Sequence, residues 1–512
     1  MGGDAVHSLG LWITFPRSAT RIRMLSGLFR LLFLSDELAE CRLRRDIEFS
    51  PGVIYRPMPS IDTLLAAHAP WASADRSWPL TPFELFMWLD DRPRYPLVFQ
   101  VALRFEGPVD AAAMRDAFRF ALGRHPLLRA SIVADQRGAR WHAPASGWNE
   151  LEVVPRESPP EPGPGWIDLT SGSGLRGSIR ETATGSDVIL VFHHACCDGQ
   201  GARMFIQDLA LAYAVLRGGA TADVFMTLDP GQLDSRGVHA CEPSAWRGLR
   251  HLLHMFRTRP LPTVPESGLA VDAAPAGSIG FCTHTFDRET VQILQDPRRL
   301  GEASFNDVAV ALLFTVLEGW QRNRGVKPGT RMRISVPVDL RGREHERMPA
   351  ANRYTYLFVN RHVGVGTDWP TLLADTRRQL RLPRQAGAGF DMLSMLHTFA
   401  RWPRLMRRGL RWRRCFGTAV LTNLSDPSRR LRKRLPVDDE GCIWLDRARC
   451  HDMQLCTPPL RPCTHWGFGL FEYANRVTLT FRYDTDTISP AAAAGVLADY
   501  VAGWHRWAER DS

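Results

Sequence analysis

The feature that most constrains this chain is the run Val188 to Phe192, five apolar residues that two histidines follow directly. An apolar run without polar alternation is typical of a strand whose two faces are both covered. From Gly201 to Leu216 apolar residues recur at helical spacing, which predicts a helix immediately after the strand. The chain therefore favours an α/β fold, with functional side chains where this strand ends.

The same alternation of strand and helix patterns is found on both sides of this run. Strand patterns cover 97–105 and 331–338, and helical spacing predicts helices over 110–123 and 305–320. Residues 464–473 and 476–484 predict a hairpin around Ala474-Asn475, and an alanine-rich helix follows from Pro490 to Arg506. No sequence repeat relates the two halves.

The length of 512 residues exceeds the size of one ordinary domain about threefold, which favours two large lobes or three small domains. Apolar residues at 45% and charged residues at 23% exclude wholesale disorder. We expect an N-terminal extension over 1–78, a first lobe over 79–225, an inter-lobe crossover over 226–279 and a second lobe over 280–512.

The predicted extension is unlike a secretory signal, because arginines interrupt its apolar residues and no small-residue cleavage site follows. We expect it to be partly disordered, with translation starting at Met24 or Met58. The alternative is an amphipathic helix on a membrane surface.

The net charge of +10 does not indicate a nucleic-acid partner. Lys327 and Lys433 are the only lysines, an arginine bias typical of GC-rich codon usage, and the aromatic–basic interleaving of nucleic-acid modules is missing. Ten cysteines are too sparse for a disulfide scaffold, which favours a reducing cytoplasm. The irregular spacings of the cysteines and histidines between Cys442 and His465 indicate buried thiols, so no metal site is expected.

The most basic stretch is 401–414, where five arginines are predicted on one helix face and Trp402, Leu405, Gly409 and Trp412 on the other. We expect a solvated helix that packs its tryptophans into the core. The alternative is a landing surface for an acidic carrier protein, a coenzyme A phosphate or an anionic membrane.

The histidines after the buried strand carry the chemistry. An imidazole with an ordinary pKa near ~6.5 accepts a proton at neutral pH without extreme tuning. Asp198 adds a carboxylate and Gly199 an exposed amide, but no G-x-S-x-G nucleophile accompanies them. A base without a covalent nucleophile suggests direct group transfer.

The segment from His193 to Gly199 matches the HHxxxDG signature. By this signature the chain resembles the chloramphenicol-acetyltransferase-like superfamily, which includes the nonribosomal peptide condensation domains. Other segments resemble condensation-domain elements in the same order, and they are Leu80–Glu84, Arg124–Arg129, Phe305–Val308, Val336–Arg341, Leu421–Leu424 and Pro458–Pro462. The resemblance covers about 79–505. It implies an α/β pseudo-dimer of two similar lobes with a central tunnel between them.

The resemblance also implies roles for single residues. His194 would be the general base facing the tunnel, and His193 a structural residue hydrogen-bonded within the loop. Asp198 would pair with Arg129 and so fix the loop, and the Gly199 amide would face the oxyanion of the tetrahedral intermediate.

Asn306 and Asn423 are weaker candidates for the tunnel or the oxyanion site, and each is better explained as a helix or loop cap. Gly201 departs from the many relatives that have serine there, and the closing motif of the plant acyltransferases is absent.

The function that this resemblance implies is acyl transfer from a coenzyme A or carrier-protein thioester to a hydroxyl or amine acceptor, without a covalent enzyme intermediate. Acyl-CoA or an acyl-phosphopantetheine carrier would serve as co-substrate, with no bound cofactor, and the protein would be monomeric. A non-catalytic docking protein and a membrane-surface lipid acyltransferase are the alternatives.

Overall fold

The computed structural model describes residues 59–135, 138–158, 165–239, 241–269, 279–364, 368–385, 389–424, 426–456 and 458–510. The helices in these ranges are α1 (Ile61–His68), α2 (Pro82–Asp90), α3 (Ala111–Arg124), α4 (Gly199–Leu216), α5 (Ala245–Arg257), α6 (Arg288–Leu294), α7 (Pro297–Leu300), α8 (Phe305–Arg322), α9 (Trp369–Gln385), α10 (Gly389–Ala400), α11 (Pro403–Leu410) and α12 (Pro490–Ala508). The strands are β1 (Arg76–Pro79), β2 (Val98–Glu106), β3 (Ser131–Asp135), β4 (Gly138–Ala143), β5 (Leu151–Val154), β6 (Leu175–Glu181), β7 (Gly185–His193), β8 (Ile279–Phe286), β9 (Arg331–Asp339), β10 (Tyr354–His362), β11 (Ala419–Leu424), β12 (Ile443–Leu445), β13 (Ala448–Cys456), β14 (Trp466–Tyr473) and β15 (Arg476–Asp484).

The first lobe is built on a six-stranded sheet of order β12-β13-β2-β7-β6-β5. Helix α3 begins as predicted at its N-cap Asp110, whose side chain accepts from the Ala112 and Ala113 amides. Aromatic rings join the helices to the sheet, because the Phe205 ring of α4 contacts Phe118 of α3 at 5.6 Å and Phe192 of β7 at 5.8 Å between centroids. The apolar run that opened the sequence argument is thus a central strand.

The second lobe is built on a six-stranded sheet of order β10-β9-β11-β14-β15-β8. Helices α8 and α12 pack together on it, and Tyr500 of α12 lies 5.3 Å from Phe468 of β14 between ring centroids. The predicted hairpin of β14 and β15 is confirmed, with Ala474 and Asn475 at φ of 51° and 59°, as a tight turn between right-twisted strands requires. A third, three-stranded sheet has the order β1-β4-β3.

The second half of the sequence contributes two strands to the sheet of the first lobe, which the predicted boundaries do not show. Strands β12 and β13 come from the second half of the sequence, yet β13 pairs with β2 of the first sheet, with Leu455 opposite Val101. The predicted second lobe of 280–512 therefore contributes 443–456 to the first sheet. Strand patterns give the existence of a strand but not its partner, because pairing is a long-range property.

Regular structure begins before the predicted start at Pro79. Helix α1 lies within the predicted extension, with Ser60 as its N-cap, and packs against α3. A Cβ on Gly123 would lie 2.5 Å from a Leu65 methyl carbon, so this glycine allows the close approach. Residues 1–58, on which the predictions of disorder and of an amphipathic helix fall, lie outside the described residues.

The basic stretch differs from its prediction. Helix α11 spans only eight residues and buries Met406 and Leu410, whereas Trp402 and Trp412 are 54% and 48% exposed. The expectation that the tryptophans pack into the core is therefore wrong, because the face of α11 with the two aliphatic residues meets the protein.

No single helix among the described residues is long and apolar enough to cross a bilayer. The pair 288–300 and 305–322 reaches the required length and composition only when its two pieces are added across a bend of 105°. The apolar residues of α8, such as Val308 and Leu313, are buried in the second lobe.

Candidate active site

His194 lies in the turn directly after β7, between the two lobes. Its amide donates to the Leu97 carbonyl at 2.7 Å, which fixes the backbone beside β2. The imidazole lies 5.1 Å from the Phe99 ring and 5.4 Å from the Tyr354 ring, and Nδ1 is 3.4 Å from the Tyr354 hydroxyl. One aromatic side chain of each lobe therefore flanks the ring.

The imidazole borders a cavity of about 100 Å³ at the position predicted for the tunnel. Both lobes line it. The first half contributes Phe99, His194, Asp198, Gly199 and Gln200, and β13 of the first sheet contributes Leu455. The second lobe contributes Pro337, Asp339, Tyr354, Tyr356, Val420, Thr422, Asn423, Leu424 and Pro458. His194 is therefore reached from the space between the two lobes.

Burial lowers the pKa of His194 to about 4, and the smaller attraction of Asp198 for the charged ring does not offset it. Phe99 and Tyr354 replace water around the ring, which disfavours the charged imidazolium. The imidazole is therefore neutral at physiological pH and has a nitrogen lone pair available to accept a proton.

Asp198 is the N-cap of α4, and hydrogen bonds and an ion pair hold both of its carboxylate oxygens. One carboxylate oxygen accepts from the Gly201 amide at 2.9 Å, and the other from Arg341 at 2.7 Å and the Arg353 amide at 2.8 Å. Burial alone would raise the pKa of Asp198, but the Arg341 charge and these hydrogen bonds hold it below its ordinary value. Asp198 is thus a buried anion that joins the motif to the second lobe.

Arg129 does not form the predicted ion pair with Asp198. Its guanidinium donates to the Pro144 carbonyl and stacks over Trp148 at 4.4 Å, and burial lowers its pKa to about 10. Arg341, which follows β9, takes the predicted place of Arg129. The charge on Asp198 is therefore balanced across the lobes and not within the first lobe.

A short segment of the second lobe, residues 350–353, lies against the turn from His193 to Gly199, and we call it the cross-lobe strap. The Asn352 side-chain amide donates to the carbonyls of His194 and Ala195 at 2.6 and 2.7 Å. The Ala351 carbonyl accepts from the Asp198 amide at 3.3 Å and from the Arg341 side chain at 2.8 Å. Four backbone or side-chain groups of the motif are thus held by one segment.

The strap also reaches the first lobe through a buried histidine. The Ala350 amide donates to His125 Nδ1 at 2.9 Å, so His125 Nε2 carries the proton that it shares with Asp208 at 3.1 Å. Asp208 in turn accepts from Arg124 at 2.5 Å. The segment Arg124–Arg129 that the resemblance singled out therefore supports the strap through its first two residues.

Gly199 is the first residue of α4 and lines the cavity beside His194. The first amides of a helix have no intrahelical acceptor, and the helix N-terminus favours negative charge, so this position suits an oxyanion. Gly201 has no room for a side chain, since a Cβ there would lie 2.8 Å from the Cys197 Cβ and 3.1 Å from the Ala351 nitrogen. The departure from serine therefore follows from the close packing of the strap.

His193 is fully buried on the opposite side of the strand end from His194. Its Nδ1 accepts from the Ala195 amide at 3.0 Å, and its Nε2 lies 3.5 Å from an Asp91 carboxylate oxygen. The other carboxylate oxygen of Asp91 accepts from the Leu97 amide at 2.7 Å. His193 thus connects the turn to the loop before β2.

The two asparagines are separated by the structure. Asn423 lies near the end of β11 and lines the cavity with its neighbour Leu424. Asn306 does not line this cavity, because it lies in the first turn of α8, where the neighbouring Phe305 stacks on Trp504 at 4.7 Å. Neither is a helix cap, since Ser304 caps α8 and Asn423 belongs to a strand.

The thiols beside the motif belong to the core. Cys196 and Cys197 are fully buried, and burial raises the pKa of both well above the ordinary value. Thiols in this state are poor nucleophiles. Within the described ranges, no three His, Cys, Asp or Glu side chains converge in a way that would hold a metal ion.

Three residues at the site, Tyr354, Tyr356 and Asn352, were not predicted from the sequence. The two tyrosine hydroxyls lie 3.3 Å apart, and burial raises both pKa values, so both side chains are neutral hydrogen-bonding groups at the cavity. The alternation of Tyr354 and Tyr356 along β10 is a signal for one shared strand face, but it does not indicate which face meets the cavity.

Comparisons of the sequence support the resemblance at a distance. No family model matches the chain. An uncharacterized protein of Mycobacterium tuberculosis is 24% identical over 342 residues, which cover 65% of this chain and 77% of that protein. A plipastatin synthase polypeptide of Bacillus subtilis is 24% identical over 170 residues, which cover 31% of this chain and 4% of the synthase polypeptide.

Comparisons of the structure find solved domains of the same fold over most of the chain. The starter condensation domain of rhizomide synthetase, in complex with C8-CoA and Leu-SNAC, matches with a TM-score of 0.59 and 15% identity over 85% of this chain and 95% of that chain. The epimerization domain from the third module of tyrocidine synthetase B matches with a TM-score of 0.58 and 14% identity, over 85% and 97%. The X-domain in the complex of the X-domain and OxyB from teicoplanin biosynthesis matches with a TM-score of 0.54 and 18% identity, over 84% and 93%.

Such identities establish the fold and leave the reaction open, since domains of different names share it. Two lobes with a motif turn between them, a cavity lined by both, and this set of structural neighbours lead to one conclusion. The chain has the α/β fold of the nonribosomal peptide condensation domains.

Proposed function

We propose that the protein transfers an acyl group from a coenzyme A or carrier-protein thioester to a hydroxyl or amine acceptor, with His194 as the general base. One observation carries this proposal: a neutral imidazole borders a cavity between two lobes, and its backbone is held from both. The C8-CoA complex of the rhizomide neighbour supports a coenzyme A thioester as donor.

The proposed reaction needs no covalent enzyme intermediate. The acceptor oxygen or nitrogen attacks the thioester carbonyl carbon while His194 takes the acceptor proton. The carbonyl oxygen becomes an oxyanion beside the Gly199 amide at the start of α4. Collapse of the tetrahedral intermediate breaks the carbon–sulfur bond, and the leaving thiolate takes the proton back from His194. The products are an ester or amide and a free thiol.

Asp198, Arg341 and Asn352 act in this proposal as positioning residues. They hold the turn that carries His194 through an ion pair and through two carbonyl hydrogen bonds.

The test is thiol release from octanoyl-CoA, followed by mass spectrometry of the products formed from a panel of alcohols and amines. His194→Ala should reduce thiol release to the uncatalysed rate while circular dichroism and the melting temperature stay near those of the unchanged protein. His142→Ala, at a half-buried histidine of β4, is the matched control and should keep full activity. Undiminished turnover of His194→Ala would refute the proposed role.

A second candidate is a non-catalytic docking protein, because this fold also occurs in a domain that was solved in complex with another protein. The neighbour solved as a complex of the X-domain and OxyB is of this fold. Absence of thiol release from acetyl- to palmitoyl-CoA and from acyl-loaded carrier protein, with saturable binding of a protein partner, would support this candidate over acyl transfer.

A further inference from the structure

Two helices on one side of the molecule expose apolar faces. Helix α5 points Trp246, Leu249, Leu253 and Phe256 outward, at 71%, 45%, 52% and 36% exposure, and buries the opposite face, which includes Met255. Segment 401–414 exposes Trp402, Leu405 and Trp412. We call these seven side chains, with the arginines of 245–259 and 401–414, the apolar–arginine surface.

This concentration of exposed apolar side chains is unusual. The described residues expose thirteen large hydrophobic side chains, and seven of them lie in these two segments of 15 and 14 residues. Scattered exposed apolar residues need no explanation, but a cluster of them marks an interaction site.

The same two segments carry eleven arginines and no aspartate or glutamate. Their eleven positive charges exceed the net charge of +10 of the whole chain, so the rest of the chain is close to neutral. Asp391 of α10 accepts from Arg247 of α5 at 2.8 Å and lies 4.0 Å from Arg250. The positive charge is therefore local, and arginine-rich codon usage does not account for its position.

The two segments form one continuous surface. The Arg414 guanidinium lies 4.4 Å from the Phe256 ring centroid and 4.8 Å from that of Trp412, so it links the end of α5 to the segment after α11. Helix α10 packs against both α5 and α11. Apolar side chains and arginines are thus interspersed across both helices.

We propose that the apolar–arginine surface docks the protein on an anionic lipid membrane. Tryptophan and arginine both favour the headgroup region, and a helix with an exposed apolar face and flanking cations lies in the plane of that region. Clustered apolar side chains and arginines share both helices, and a fluid headgroup layer accommodates this mixture without the shape complementarity that a protein partner requires. Charge complementarity selects acidic over zwitterionic lipid.

Docking at this surface places the membrane on the same side as helices that contact the cavity wall. Helix α2 packs against both α10 and α11, and its Phe83 ring lies 4.8 Å from Tyr354 between centroids. The proposal does not depend on acyl transfer and survives if the protein is not an enzyme.

The experiment is co-sedimentation of the full chain with vesicles of phosphatidylcholine alone and of an equimolar mixture with phosphatidylglycerol. The protein should partition to the acidic vesicles, with a blue shift of tryptophan fluorescence and a loss of binding at high salt. Arg404→Glu, Arg408→Glu and Arg411→Glu together should weaken partition by at least about 100-fold, because the loss of each near-surface arginine costs about fivefold and the new glutamates add repulsion. Trp246→Ser with Trp402→Ser should remove most of the blue shift.

The matched control is the triple variant Ile293→Ser, Arg115→Glu and Arg298→Glu, which alters one apolar side chain that is 45% exposed and two exposed arginines outside the surface. It should bind as the unchanged chain does. The proposal is overturned if the full chain ignores acidic vesicles, if both variant sets weaken binding equally, or if the surface variants instead lose binding to an acidic carrier protein.

Discussion

At the residue scale, burial acts in opposite ways on the two ionisable groups of the motif turn. His194 has aromatic neighbours and stays uncharged, whereas Asp198 has Arg341 and stays charged. The lowered pKa of Asp198 stabilises the fold above pH ~3.9, and this stabilisation is lost as the pH falls through the folded-state value. One group is thus suited to proton transfer and the other to holding the turn.

The proposed role of His194 as the general base sets the pH dependence that we expect for acyl transfer. Its pKa of about 4 in the folded protein, against ~6.5 unfolded, predicts a kcat/KM that is level from neutral pH down to about pH 5 and falls near pH 4. Protonation also favours the unfolded chain in this window, so unfolding must be followed in parallel by circular dichroism. An acid limb at pH 6.5 in fully folded protein would show that the ring is hydrated during catalysis or that another base acts.

A double-mutant cycle tests the ion pair between the lobes. Asp198→Asn and Arg341→Met should each lower the free energy of unfolding by about 3–5 kcal/mol, because each leaves a buried partner without its counterpart. The double variant should lose about 1–3 kcal/mol less than the sum, as measured by urea denaturation.

Arg129→Met supplies the control cycle, since Arg129 contacts Pro144 and Trp148 and not Asp198. Asp198→Asn and Arg129→Met should be additive within about 0.5 kcal/mol. Coupling with Arg129 and additivity with Arg341 would restore the pairing that the sequence resemblance implied.

At the element scale, the predicted helices and strands are found with small shifts at their ends, while the contacts between elements were not readable from the sequence. Hydrophobic spacing and the Asp110 cap were sufficient for α3, because both signals are local. The ion pair of Asp198 joins residues 143 positions apart, and only the fold brings them together. The cross-lobe strap has no periodic pattern, so its contacts with His194 and His125 left no local signal.

The strap explains why a glycine occupies position 201, and this can be tested. Gly201→Ser introduces a Cβ within 2.8 Å of the Cys197 Cβ and should lower the free energy of unfolding by about 1–3 kcal/mol. Gly319→Ser, at a helical glycine with open space around its Cβ position, is the matched control and should be neutral or slightly stabilising. Equal thermal stability of the two variants would contradict the packing argument.

At the scale of the whole molecule, the strands that the second half contributes to the first sheet make the two lobes interdependent. Strand β13 is hydrogen-bonded to β2 of the first sheet, and its neighbours along the chain are in the second lobe. The family resemblance predicted two lobes with the motif between them. It did not predict the pairing of β13 with β2, because the sequence pattern of a strand does not specify which strand it pairs with.

Hydrogen exchange shows whether β13 opens together with the first lobe or with the second lobe. Peptides covering β13 and β2 should exchange with the same opening free energy across a urea series, because they share a ladder of hydrogen bonds. Peptides from β8, at the far edge of the second sheet, serve as the reference. If β13 opens with β8 while β2 stays protected, the lobes are not coupled through this strand.

The origin of β13 late in the sequence has a consequence for the order in which the protein is made. A ribosome that has completed β7 has supplied only one of the two strands that flank β2, because β13 is encoded more than 250 positions later. The nascent first sheet therefore carries an unpaired edge along β2 through about half of translation, and such edges recruit strands from other chains. Arrival of 443–456 removes that hazard, so full-length synthesis itself protects this protein against misassociation.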